Sequence, residues 1–240
     1  MFDERLFYYI HGIATMFFLL EGLRRLRSDK TVRLNRMCGY VLLCWCALEL
    51  KDLAFYHTLD IRYNYLSNLL ILIDLMAVPA GCIFLIELLN SGWCTLRRVL
   101  ALVSPFIIGI GAYALTAYEP LMDAVFIFVG CYGVCFLTHL GFAIRRYNRY
   151  LDDNYSNTDY IHIRWLKGVA VMFTFCLAVW IYSCYHSSWV ADSIYQVALV
   201  TMWATILFFA DSQQPVTFTP PPQFYGTNGH RGHFRDLSAQ

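Results

Sequence analysis

The side chains in this chain best equipped for proton or ligand chemistry lie where such groups are costly. Glu49, Lys51 and Asp52 fall within the stretch CALELKDLAFYH, residues 46–57, inside an apolar run, and Asp74 interrupts the apolar run of residues 66–89. An isolated charge at such a position costs a few kcal/mol on membrane-insertion scales, so a chain that keeps several must give them partners, water or a ligand. Glu49, Asp52 and Tyr56 recur at i, i+3 and i+7 and share one helix face. Lys51 is expected to point elsewhere and to reach the outer interface along its four-carbon stem.

The elements that must carry these residues follow from composition. Of 240 residues, 58% are hydrophobic and 15% charged, well under the roughly 25% charged residues of an average soluble domain. The mean hydropathy of +0.48 points the same way. A membrane-crossing helix needs about 20 mainly apolar residues, and seven stretches qualify: 6–22, 37–57, 66–89, 97–117, 122–146, 163–186 and 190–210. The expected fold is an all-α, seven-helix membrane bundle over residues 1–211, followed by a Pro- and Gly-rich flexible tail, 212–240. Pro79 and Pro105 are expected to bend the third and fourth spans.

Charge sets the orientation. Arg24, Arg25, Arg27, Lys30, Arg33 and Arg36 crowd the first connector, Arg97 and Arg98 the third, and Arg145, Arg146, Arg149, Arg164 and Lys167 flank the fifth. The alternate connectors hold Arg62 as their one basic residue, with acids beside it. By the positive-inside rule the basic connectors face the cytoplasm. The arginines also follow the first apolar run, as in a reverse signal anchor, so the N-terminus is expected outside and the tail inside. Eight of the nine cysteines fall in or beside apolar runs and read as packing residues, with Cys184 near the outer face.

On that topology Glu49 lies roughly 12 Å, and Asp52 roughly 8 Å, below the outer end of the second span, with Asp74 at a depth like that of Glu49. His11, Tyr182, His186, Tyr195 and Gln196 fall in the same outer half. The expected site is an outward-facing ligand pocket drawing on Glu49, Asp52, Asp74, His11, Tyr182, His186 and Gln196. Two other uses of these groups stand beside it: hydrogen-bonded packing between helices, and a zinc site built from His11, His57 and His186 with Glu49 or Asp74. The histidines lack the paired spacing of a metal motif, so no metal and no cofactor is expected. The last span has no lysine for a retinal Schiff base, and neither GxSxG nor HExxH occurs, so no enzymatic chemistry is expected.

The inner loop RRYNRYLDDNYSNTDYIHIRWLKG, 145–168, joins a basic run to an acidic, Tyr-containing turn and a capped helix entry. Arg145, Arg146, Arg149, Asp159 and Arg164 form its expected signalling face. The portion LDDNYSNTDYIHIRWLKG resembles the corresponding loop of membrane-embedded regulators of Bacteroidota, in which a multi-span sensor domain precedes a cytoplasmic AraC-type helix-turn-helix domain. The resemblance covers about 210 residues and implies a sensor of the bacterial inner membrane. No helix-turn-helix pattern follows Asp211, so direct nucleic-acid binding is not carried over. The expected partners are lipid, a small ligand from the outer side and a cytoplasmic protein, with oligomers allowed. The rival readings are a small proton-coupled transporter and a ligand-free scaffold or assembly subunit.

Overall fold

The computed structural model describes residues 2–28, 33–56, 64–89, 92–154, 165–186 and 189–212. Among them every element is an α-helix and no strand occurs. The helices are α1 (Phe2–Arg27), α2 (Arg33–Tyr56), α3 (Asn64–Asp74), α4 (Ala77–Leu89), α5 (Leu96–Thr116), α6 (Glu119–Asn154), α7 (Trp165–His186) and α8 (Trp189–Ser212).

Five stretches are long and apolar enough to cross a membrane: Arg5–Arg27, Tyr65–Leu89, Leu96–Thr116, Glu119–Arg149 and Val190–Asp211, with a shorter apolar helix at Leu166–Tyr182. The chain is therefore an all-helical membrane protein. Helix α2 is 24 residues long but carries Glu49, Lys51 and Asp52 within its apolar stretch and Arg33 and Arg36 at its start, whereas each of the five spans has an 18-residue stretch with two charges at most. The outward surface of α5 and α6 is apolar, with Ile107, Ile108, Leu115, Ile127, Val134 and Phe142 all more than half exposed. Lipid tails solvate such a surface; water does not.

Helix α1 packs along α2 and against α8, and α8 packs against α7; α4 lies against α2, α5 and α6. The seam between α1 and α2 is tight because it is made by glycines. A Cβ on Gly22 would stand 2.9 Å from the Leu43 side chain, and one on Gly39 would stand 2.8 Å from Leu26 and 3.1 Å from the Gly22 carbonyl. Close approach of this kind is the main source of helix association in lipid, where apolar burial alone gains little. Farther along the bundle, Phe18, Trp45, Phe84 and Trp203 from α1, α2, α4 and α8 form one aromatic core. Trp45 and Trp203 meet edge to face at 5.0 Å, and Phe84 meets Trp203 at 5.4 Å.

The two prolines have different outcomes. Pro79 follows a true interruption: α3 ends at Asp74, Leu75 and Met76 form a turn, and α4 begins at Ala77. Around it the amides step back three residues: Leu75 N–H to Leu72, Met76 N–H to Ile73 and Val78 N–H to Leu75. Pro105 sits inside an unbroken α5. There the Ser104 hydroxyl donates to the Ala101 carbonyl at 3.5 Å, the acceptor that the proline leaves without an amide.

Candidate functional site

Two polar clusters lie in one layer of the bundle, one to two helical turns from the aromatic core. The first joins α1, α2 and α8. His11 (2% exposed) and Glu49 (4% exposed) meet at 2.9 Å between Nε2 and Oε2, and the same nitrogen lies 3.0 Å from the Glu49 backbone carbonyl. The Gln196 side-chain nitrogen donates to Glu49 Oε2 at 2.8 Å and lies 3.3 Å from His11 Nδ1. An amide nitrogen only donates, so Nδ1 accepts and the proton of His11 sits on Nε2, aimed at Glu49. Gln196 Oε1 is buried with no hydrogen-bond partner. Thr15 completes the α1 side by donating to the His11 carbonyl at 2.9 Å.

The second cluster joins α2 to the interrupted third span. The Lys51 ammonium bonds Asp52 Oδ1, sits 2.8 Å from Asp74 Oδ1 and donates to the Leu70 carbonyl at 3.2 Å. Three acceptors satisfy its three protons. This corrects the expectation that Lys51 points away to the interface: its side chain is 11% exposed and holds the cluster together. Neighbours at i and i+1 do not share a helix face, but a flexible stem lets Lys51 turn toward Asp52 while the third span brings Asp74 within reach.

The expected pocket residues are thus divided. His11, Glu49 and Gln196 come together, Asp52 and Asp74 form the other cluster with Lys51, and Tyr182 stands 53% exposed on α7. The side chains of His57 and His186 lie outside the described residues, as do Asp159 and Arg164. Arg145, Arg146 and Arg149 are exposed near the end of α6. Among the described residues no group of three or more His, Cys, Asp or Glu is placed to hold a metal ion.

A cavity touches this layer at Asp74. It measures about 40 Å³, enough for one to three waters, and is walled by Asp74, Tyr195, Trp45, Trp180, Phe173 and their apolar neighbours. Asp74 is the one member of the expected carboxylate set on its wall. A larger apolar hollow of about 420 Å³ lies between α1 and α8, edged by Leu6, Ile10, Ile194 and Val197, and touches none of the carboxylates.

At the other end of the bundle two ion pairs tie helix ends together. Arg25, on α1, holds Asp211 of α8 at 2.6 Å and donates to Asn35 at 3.2 Å. Glu87, fully buried on α4, takes Arg33 Nε at 2.8 Å and the amides of Gly92 and Cys94 at 2.8 and 3.0 Å. Gly92 has φ +90°, a conformation that suits glycine and turns its amide back to Glu87. Reading the arginines only as topology signals misses these pairs; the one available signal is that Glu87 is the sole acid in the apolar run of α4.

Comparisons with protein-family models, curated proteins and solved structures give no match.

Proposed function

We propose that the chain is a seven-span, receptor-like sensor of a bacterial inner membrane, with its N-terminus outside and its tail in the cytoplasm. In this reading α2 and α7 complete the seven spans, the polar charges of α2 being masked by α1, α3 and α8. The observation that carries the proposal is the polar layer itself: two clusters that bridge four helices beside an interruption in one of them. A chain that needed only packing between these helices would do as well with apolar side chains, since a buried ion pair gains little over a well-packed apolar substitute.

The mechanism is a population shift. An event at the layer that changes one cluster favours one arrangement of α3 and α4 over another. Arg33 and Glu87 couple the inner ends of α2 and α4, and α6 packs on α4, so the rearrangement reaches the basic end of α6. The loop resemblance to sensor domains gives that end its role, contact with a cytoplasmic protein.

The test is the distance between spin labels at Arg149 and Lys167, measured in nanodiscs, for the unmodified layer and for Glu49→Gln, Asp52→Asn and Asp74→Asn combined. A shifted distance distribution in a variant that still folds supports the relay; identical distributions sink it. The interruption at Leu75 and Met76 favours a second reading, a small coupled carrier, because discontinuous helices line the sites of many transporters. Proton-driven flux in liposomes, lost in Asp74→Asn, would establish the carrier; a sensor gives none.

A further inference from the structure

The apolar outer surface of α6 carries one side chain that lipid cannot satisfy. Asp123 and Arg145 bound the apolar stretch of this helix and stand about 33 Å apart along it, close to the thickness of a hydrocarbon layer. His139 falls between them, about 9 Å short of Arg145, and is exposed. Hydroxyls on the same kind of surface provide for themselves: Thr138, Thr174 and Thr201 each donate to the carbonyl four residues back, at 2.8, 2.9 and 2.7 Å. His139 makes no hydrogen bond and no ion pair with any described residue. Its ring also lacks the long stem by which lysine or arginine reaches the headgroups. Ionisable side chains inside a membrane ordinarily face the bundle interior or a partner, so the two ring nitrogens are left to a group from outside the chain.

The surroundings of His139 say which group fits. Cys131, Cys135 and His139 recur every fourth residue and form one row on α6, with both thiols exposed. A row of this spacing is the ridge by which two helices pack at about −50°, and the small side chains at Cys131, Cys135 and Thr138 permit close approach. A neutral imidazole has one donor and one acceptor, and a thiol is weakly both, so each member of the row can bond its own duplicate. A second copy of the chain, inserted in the same membrane with the same orientation, presents that duplicate at the same depth. Lipid tails offer neither donor nor acceptor.

We propose that two copies of the chain associate through this face of α6, about a two-fold axis along the membrane normal, with the His139 ring of one copy donating to that of the other. The crossing keeps the inner arginines from opposing each other. At an angle of about 50° the two axes diverge by roughly 13 Å between His139 and Arg149. The pairing does not rest on the sensor reading and stands or falls without it.

The experiment uses the full chain in lipid vesicles, with a donor or acceptor dye at Gln240, over a range of protein-to-lipid ratios. Energy transfer is compared with that of a monomeric membrane protein at equal density. The expected result is transfer above the level of random encounter, falling along a monomer–dimer curve as lipid is added. His139→Leu should weaken association about three- to tenfold, while His139→Asn, which keeps a donor and an acceptor, should stay within about twofold. Cys135→Trp places bulk at the crossing and should weaken it too. Both positions are exposed, so neither change burdens the fold of the single copy. Oxidation of the same vesicles with copper–phenanthroline should join two copies by a disulfide, absent when Cys131→Ser and Cys135→Ser are combined. Transfer no greater than random encounter overturns the proposal and leaves the face to lipid or to a different protein. A dimer that His139→Leu and Cys135→Trp leave equally tight overturns it as well, as does a disulfide that persists without Cys131 and Cys135, since either places the contact on another face.

Discussion

Gln196 shows what a single side chain does in this bundle. Its amide nitrogen bridges Glu49 and His11, and its oxygen goes without a partner, so the residue exchanges one unsatisfied group for two bonds that fix a carboxylate and an imidazole. Gln196→Leu removes both bonds and leaves Glu49 with His11 alone; a loss of about 1–3 kcal/mol is expected, read from reversible unfolding in detergent micelles. Gln196→Glu should be worse, because it sets a second carboxylate against the first. Cys94, in the connector between α4 and α5, is a second case. Burial first, and then the nearby Glu87 carboxylate, push its thiol up to about 12. The thiolate is the reactive form, so maleimide labelling of Cys94 should be negligible at pH 8 and should rise about tenfold for each pH unit up to the point where the bundle loosens. The carboxylates were legible in the sequence because acids in apolar runs announce themselves. The bridging role of Gln196 and the central place of Lys51 were not, since both depend on which helices are neighbours, and helix neighbours are set by tertiary packing.

At the level of elements, five of the seven expected spans, together with a shorter apolar helix at Leu166–Tyr182, were legible as helices, because a 20-residue apolar run has few alternatives. Position along the chain did not reveal which prolines break a helix. Pro79 and Pro105 look alike in sequence, yet the helix breaks at Leu75 and Met76 ahead of the first and runs on through the second, where Ser104 bonds the Ala101 carbonyl. The glycine seam between α1 and α2 was equally silent, since Gly22 and Gly39 fall in different spans and close approach is a property of the pair. Gly39→Val should force the two helices apart against the Gly22 backbone carbonyl, which cannot move aside as a side chain would. A cost of about 1–3 kcal/mol is expected, with Gly22→Ala, which adds one methyl against the Leu43 side chain at 2.9 Å and its backbone nitrogen at 3.3 Å, milder because alanine is the smaller addition. The ion pair of Glu87 is a stronger fastening. Glu87→Ala leaves the partly exposed Arg33 with the Cys94 carbonyl alone and strands two connector amides, and should cost about 3 kcal/mol, measured by the same unfolding method. Arg33→Ala should cost less, because Glu87 keeps both amides.

For the molecule as a whole, the division of charge between the two ends of the bundle is a topology that experiment reads directly. With the native cysteines replaced, single cysteines at Glu119 and at Arg146 should be labelled by a membrane-impermeant maleimide from opposite sides of sealed vesicles, position 119 from outside and position 146 from inside. Labelling of both from one side would contradict an odd number of spans arranged as proposed. The polar layer and the ion-paired helix ends divide the bundle into a zone with buried charge near the interruption and a zone with stiff connections, which in the proposed orientation is the order in which a signal from outside would meet them.

The length of α6 turns that order into mechanics. Its 36 residues make a rod roughly 54 Å long where a hydrocarbon layer measures about 30 Å. A rod that overshoots its support acts as a lever. If α4 shifts enough to tilt α6 by about 10° around its outer end, the far tip swings by roughly 9 Å, so a rearrangement of a few tenths of a helical turn beside Asp74 becomes, beyond Arg149, a displacement as wide as a helix.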